Sequence, residues 1–157
     1  MKIRDVFISW DFIAAAILGL SLFLILPSQV SQEFIKDMAG IAISVLSIIF
    51  SVFFAALAII ISSGEDEFIS FLEETNDFTA IVQTFKFTMV IIFLALIFSI
   101  SYYGITSFSL AYKPAQPREA FILFVFLFIY ALFCACNASH DAITYSKCRA
   151  RFIKVRK

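Results

Sequence analysis

Four long stretches of this sequence contain no Asp, Glu, His, Lys or Arg: Phe12 to Leu26, Gly40 to Ser62, Met89 to Ser107 and Ala120 to Cys136. Proline is missing from all four, and glycine is sparse. Each absence excludes a class of chemistry. Proton relays, metal sites and activated nucleophiles at membrane depth are built from ionisable groups. The serines here have no general base beside them, so no enzymatic activity and no metal or cofactor is expected. Secondary transporters use broken helices, midplane charge and internal repeats, and none of these is legible. The three cysteines, Cys134, Cys136 and Cys148, are odd in number and sit at or near one helix end. That usage fits reduced thiols facing a cytosol and not a disulfide framework. The one histidine, His140, lies beside Asp141 and near Asn137 and Cys136. A metal or Cys-His site can be drawn from these, but an interfacial histidine held by local hydrogen bonds is the simpler reading.

What the chain does hold is apolar side chains. Of 157 residues 62% are hydrophobic, 21 of them Phe, with only 15% charged; soluble domains run at roughly 45–50% and about 25%. With a mean hydropathy of +0.97, this predicts an all-α integral membrane protein. One domain over 1–157 is expected, with spans at about 8–26, 40–62, 81–107 and 120–138, each near the ~20 residues a bilayer core requires. The start is an amphipathic lead-in with Lys2, Arg4 and an interfacial Trp10. A basic start before an apolar run resembles a signal peptide, but no A-x-A-like site follows in place, so a retained first span is expected. Ser28 to Ala39 reads as a small loop. Segment 64–80 carries Glu65, Asp66, Glu67, Glu73, Glu74 and Asp77 among helically spaced Phe68, Phe71, Leu72 and Phe78. It is expected to be a short amphipathic cytoplasmic helix or a continuation of the second span. Tyr102 and Tyr103 fit an interfacial aromatic belt.

The second span is distinguished by its small residues. Gly40, Ser44, Ser47, Ser51, Ala55, Ala58 and Ser62 recur every three or four residues, which places them on one helix face. In lipid no hydrophobic force singles out one apolar face, so such a stripe marks a close helix contact or a wall facing water in a pore. On the pore reading Ser44, Ser47, Ser51 and Ala55 line the lumen. Phe50 and Phe54, one turn apart, would gate it by dewetting. Two features favour the pore: a second weakly polar face on the third span (Thr84, Thr88, Ala95, Ser99, Thr106), and the acids from Glu65 to Asp77, which would form a cation-attracting vestibule at its mouth.

The remaining charge sets topology. With four spans, one side collects Lys2, Arg4, Lys86 and six tail cations, nine of the twelve. The positive-inside rule then puts both termini in the cytoplasm. The tail 140–157 holds Lys147, Arg149, Arg151, Lys154, Arg156 and Lys157 against Asp141. It can be a topology anchor drawn to anionic lipid, or a site for a nucleotide or oligonucleotide bound through phosphate contacts. The acidic segment, on the same side, could pair with it as a competing state.

With four spans, an acidic linker, a basic tail and the segment SIIFSVFFAALAIIIS, the chain resembles the small four-helix membrane effectors of bacterial anti-phage operons, the Hailong-type channel subunits in particular. That resemblance implies a homo-oligomeric ion channel, a tetramer being one such assembly. It would depolarise the inner membrane when activated, under control of a nucleotide or oligonucleotide made by an operon-partner nucleotidyltransferase. The alternative is a non-conducting scaffold or complex subunit whose small-residue faces only pack.

Reporter fusions test the topology directly. A fluorescent protein that matures only in the cytoplasm should be bright at either terminus, and a periplasm-dependent phosphatase should be active only in the loops near residues 28–31 and 112–117; the reverse pattern would refute it.

Overall fold

The computed structural model describes residues 10–62, 66–74, 77–110, 112 and 115–155. The lead-in with Lys2 and Arg4, Ser63, Gly64, Glu65, Lys113, Pro114, Arg156 and Lys157 lie outside the described residues. Among the described residues the fold is all-helical apart from one small strand pair. Its order is α1 (Trp10–Ile25), β1 (Gln29–Ser31), α2 (Gln32–Ser62), α3 (Asp66–Glu73), α4 (Asp77–Ser109), β2 (Ala115–Pro117) and α5 (Arg118–Val155). Among the described residues three helices, α2, α4 and α5, are long and apolar enough to cross a membrane. The expected first span is described as the 16-residue α1, roughly 24 Å at 1.5 Å per residue.

Two boundaries differ from expectation for the same physical reason. The presumed loop before Gly40 is helical from Gln32, so α2 runs for 31 residues. The tail does not leave the helix after Ala138 but continues it to Val155, making α5 38 residues long. Charge reports where a segment meets water; it does not end a helix. Neither Gly nor Pro interrupts Gln32 to Ala39 or Arg118 to Val155, so nothing breaks the backbone ladder. Glu33 in the first turn of α2 also suits the positive end of the helix dipole.

The two connections at the opposite end from the acidic segment are stapled together, a feature no periodicity announced. β1 and β2 pair antiparallel, Gln29 with Pro117, Val30 with Gln116 and Ser31 with Ala115. The Arg118 amide adds a bond to the Ser28 carbonyl at 3.3 Å. Arg118 then clamps α1: its Nη1 donates to the Phe23 and Leu26 carbonyls, each at 3.1 Å. Its guanidinium carbon stands 4.0 Å from the Phe23 ring centroid. A cation on the last carbonyls satisfies orphan acceptors and favours the negative helix end. At the other end of α1, Asn137 Nδ2 donates to Asp11 Oδ2 at 2.9 Å. The short helix is thus tied to α5 at both ends.

The helices pack in the lateral order α2, α4, α5, α1, with α4 against both α2 and α5 and α1 resting on α5. The weakly polar face of α4 is the seam. Thr88, Ala95, Ser99 and Thr106 are all buried. Thr88 Oγ1 donates across to the Cys134 carbonyl of α5 at 3.4 Å, and Ser99 donates to its own Ala95 carbonyl at 2.7 Å. Small side chains let backbones approach in lipid, so this face is used up inside the subunit. Tyr102 is buried too, its ring 5.4 Å from Phe124 and 6.1 Å from Phe98. It is a core residue and not part of a belt, while Tyr103 stays exposed with Lys36 Nζ 5.9 Å from its ring centroid.

The inward and outward faces give a stability test. Ala95→Phe overpacks the seam and should cost about 1–3 kcal/mol, read as a lower unfolding midpoint in detergent. Val52→Phe, on the outward side of α2, should stay within about 0.5 kcal/mol. Equal losses would contradict the assignment of faces.

Candidate functional site

The stripe on α2 turns away from its own subunit. The packed face of α2 is Gln32, Ile35, Ala39, Ala42, Leu46, Phe53 and Ile60. On nearly the opposite side of the helix, Ser44, Ser51, Ala55, Ala58 and Ser62 are exposed, and only Gly40 and Ser47 are half-covered. A Cβ added at Gly40 would lie 3.8 Å from Tyr103 Cε2, an ordinary contact. Packing within the subunit therefore does not require these small residues. The two small-residue faces that look alike in sequence have opposite fates: that of α4 is interior and that of α2 is open.

Chemically the α2 face is weakly polar and self-satisfied. Ser44 Oγ donates to the Gly40 carbonyl at 3.1 Å and Ser51 Oγ to the Ser47 carbonyl at 2.9 Å. Each hydroxyl oxygen keeps its lone pairs for a further donor. The two candidate gate rings separate. Phe50 is half-buried with its ring 5.9 Å from Phe93 of α4, while Phe54 is 62% exposed. Only Phe54 projects freely from the outward side.

At the charged end of the molecule α3 is described as eight residues, Asp66–Glu73, and residues 63–65 before it lie outside the described residues. It docks by its apolar side, with Phe68 and Leu72 buried. The Phe68 ring lies 5.6 Å from Tyr145 and 5.3 Å from Phe152, and Phe71 lies 5.6 Å from Phe152. The acidic segment and the tail helix are thus brought together, and rings carry the contact, at about 0.5–1.5 kcal/mol per pair beyond area burial. Glu73 ends α3 and starts α4: its carboxylate accepts from Thr79 Oγ1 at 2.7 Å and from the Thr79 amide at 3.3 Å. Glu67 and Glu74 are exposed. The side chains of Asp66 and Asp77 lie outside the described residues, as does Glu65.

The tail cations divide. Lys147, Arg151 and Lys154 are exposed and spaced four and three residues apart, so they share one side of α5. Arg149 is half-buried on the other side, beside Ile153. Arg156 and Lys157 lie outside the described residues. Cys134 is buried, Cys148 half-buried and Cys136 exposed, all free thiols. Among the described residues no cluster of His, Cys, Asp and Glu is arranged to hold a metal ion.

Sequence reasoning missed Arg118 and also Gln32, whose fully buried amide has no hydrogen-bond partner among the described residues. The position of Arg118 directly after Pro117, at a helix start facing the end of another, was the available signal; for Gln32 there was none. No protein-family profile, curated protein or solved structure matches the chain.

The ring contact is testable by a double-mutant cycle. Phe68→Ala and Phe152→Ala should each destabilise the protein and show a coupling of roughly 0.5–1.5 kcal/mol. Both should also speed proteolysis near residues 63–76. Strict additivity would mean that the rings do not hold α3.

Proposed function

We propose that the protein is a homo-oligomeric ion channel of a bacterial inner membrane, spanning four times with both termini cytoplasmic and gated from that side. The observation that carries this reading is the open Ser/Ala face of α2 in a membrane-length helix. A helix face that its own subunit leaves uncovered, and that is poorer in large apolar groups than its surroundings, is suited to another copy or to water. In a ring of subunits Ser44, Ser47, Ser51 and Ala55 line the path, and Phe54 forms the apolar constriction. The neighbouring Phe50 is already committed to Phe93. The acids of α3 supply a cation-attracting rim. The exposed triad Lys147, Arg151 and Lys154 supplies a docking side for a nucleotide or oligonucleotide, joined to α3 through Phe152. Release or binding of such a ligand would bias the gate and depolarise the membrane, as an anti-phage effector controlled by a nucleotidyltransferase partner would do.

A second reading, a non-conducting membrane scaffold, is favoured by one observation. The Ser44 and Ser51 hydroxyls already bond their own helix carbonyls, so the face can sit dry against another helix.

Ion flux from liposomes separates the two. For a channel, Ser47→Trp should abolish flux and Phe54→Ala should raise basal leak; for a scaffold both variants change only assembly. A monomer in mild detergent, or no flux under any nucleotide or voltage applied, would refute the channel.

A further inference from the structure

Arg149 is set apart from the other tail cations by what surrounds it. With Ala142, Tyr145 and Ile153 of α5 it lines a groove of about 480 Å³ whose opposite wall includes Ile59 and Ile60 of α2. Among the described residues no carboxylate lines the groove and Arg149 is its one cation. Tyr145 is 4% exposed, and its hydroxyl is buried without a hydrogen-bond partner. The groove therefore offers one positive charge and a hydrocarbon wall.

Its depth follows from the neighbouring helices. The Phe53 ring of α2 lies 5.4 Å from that of Phe85 on α4, so the exposed Lys86 marks where α4 leaves the hydrocarbon. Lysines reach outward from below the headgroups. Ile59 and Ile60 come roughly 9–10 Å further along α2, which is headgroup depth. At that level α5 has already passed His140 and Asp141, yet α2 is still apolar, with Ile59 and Ile61 more than half exposed. Large apolar side chains exposed at headgroup depth beside a half-buried cation match an amphiphile with an anionic head.

We propose that this groove binds an anionic phospholipid. Its phosphate accepts from the Arg149 guanidinium, and its upper acyl segment lies along Ile59, Ile60 and Ile153. Arginine suits this role because its planar fork matches phosphate oxygens and is weakly hydrated. A free polyanion is drawn instead to the exposed side carrying Lys147, Arg151 and Lys154. The site depends on membrane residence alone and not on conduction.

The test is native mass spectrometry of the full-length protein in mild detergent, titrated with phosphatidylglycerol, phosphatidylcholine or inorganic phosphate. Phosphatidylglycerol should bind saturably and phosphatidylcholine should not. Arg149→Gln should weaken binding about tenfold. Ile59→Trp, which fills the groove from an exposed position, should block it with Arg149 in place. The triple variant Lys147→Gln, Arg151→Gln, Lys154→Gln should retain it. Equal binding of the two lipids, or loss in the triple variant, would reduce the effect to a lipid annulus or to diffuse charge and overturn the proposal. Competition by inorganic phosphate at matched concentration would make it a free-anion site, and a change in oligomer size with lipid binding intact would make it a protein contact; both also overturn it.

Discussion

The close approach of α4 to its neighbours is the contact on which the rest of the arrangement depends. In a bilayer the hydrophobic effect does not press helices together, so association relies on dispersion, which falls off within an ångström, and on a few interhelical hydrogen bonds. Thr88, Ala95, Ser99 and Thr106 bring backbone against backbone along α4, with the Thr88 bond to the Cys134 carbonyl crossing to α5. Because α4 is occupied on both sides, α2 is left at one edge of the lateral row and α1 at the other. The exposure of the α2 stripe follows from that position.

Helix ends are managed by polar groups that the bilayer would otherwise penalise. Arg118 covers the last carbonyls of α1, Glu73 caps α4 through Thr79, and Asn137 holds Asp11. These residues look unrelated in sequence, being separated by up to 126 positions in the Asn137–Asp11 case, and each ties one helix terminus to another element. The strand pair adds a backbone link at the same end as Arg118. The short α1 is therefore held by its two ends as well as by the Phe12 edge contacts to Phe126 and Tyr130, at 5.5 and 5.8 Å.

The charged end follows a different rule. There α3 and the extension of α5 meet through Phe68, Phe71, Tyr145 and Phe152, and opposite charges lie on the periphery. Exposed ion pairs contribute little in water, whereas buried rings contribute area and geometry together. The charges of the acidic and basic segments allow them to pair; among the described residues ring contacts join them.

Membrane residence, three of the spans and the division between an acidic segment and a basic tail were legible in the sequence, because they depend on local composition and on a 3.6-residue period. The helix lengths were legible only where Gly or Pro marks an end, which is why Gln32–Ala39 was read as loop and the fourth span was ended near residue 138. The candidate face of α2 could be found by period but not oriented. Gly40 to Ser62 and Thr84 to Thr106 carry the same kind of small-residue stripe, and a stripe states that something approaches without stating what. Tertiary packing decided that the α4 stripe is interior and the α2 stripe open. It also set Arg149 apart from its neighbouring cations and made Arg118 a clamp. These are relations between residues far apart in the chain, fixed by which helix lies beside which, and no local pattern contains them.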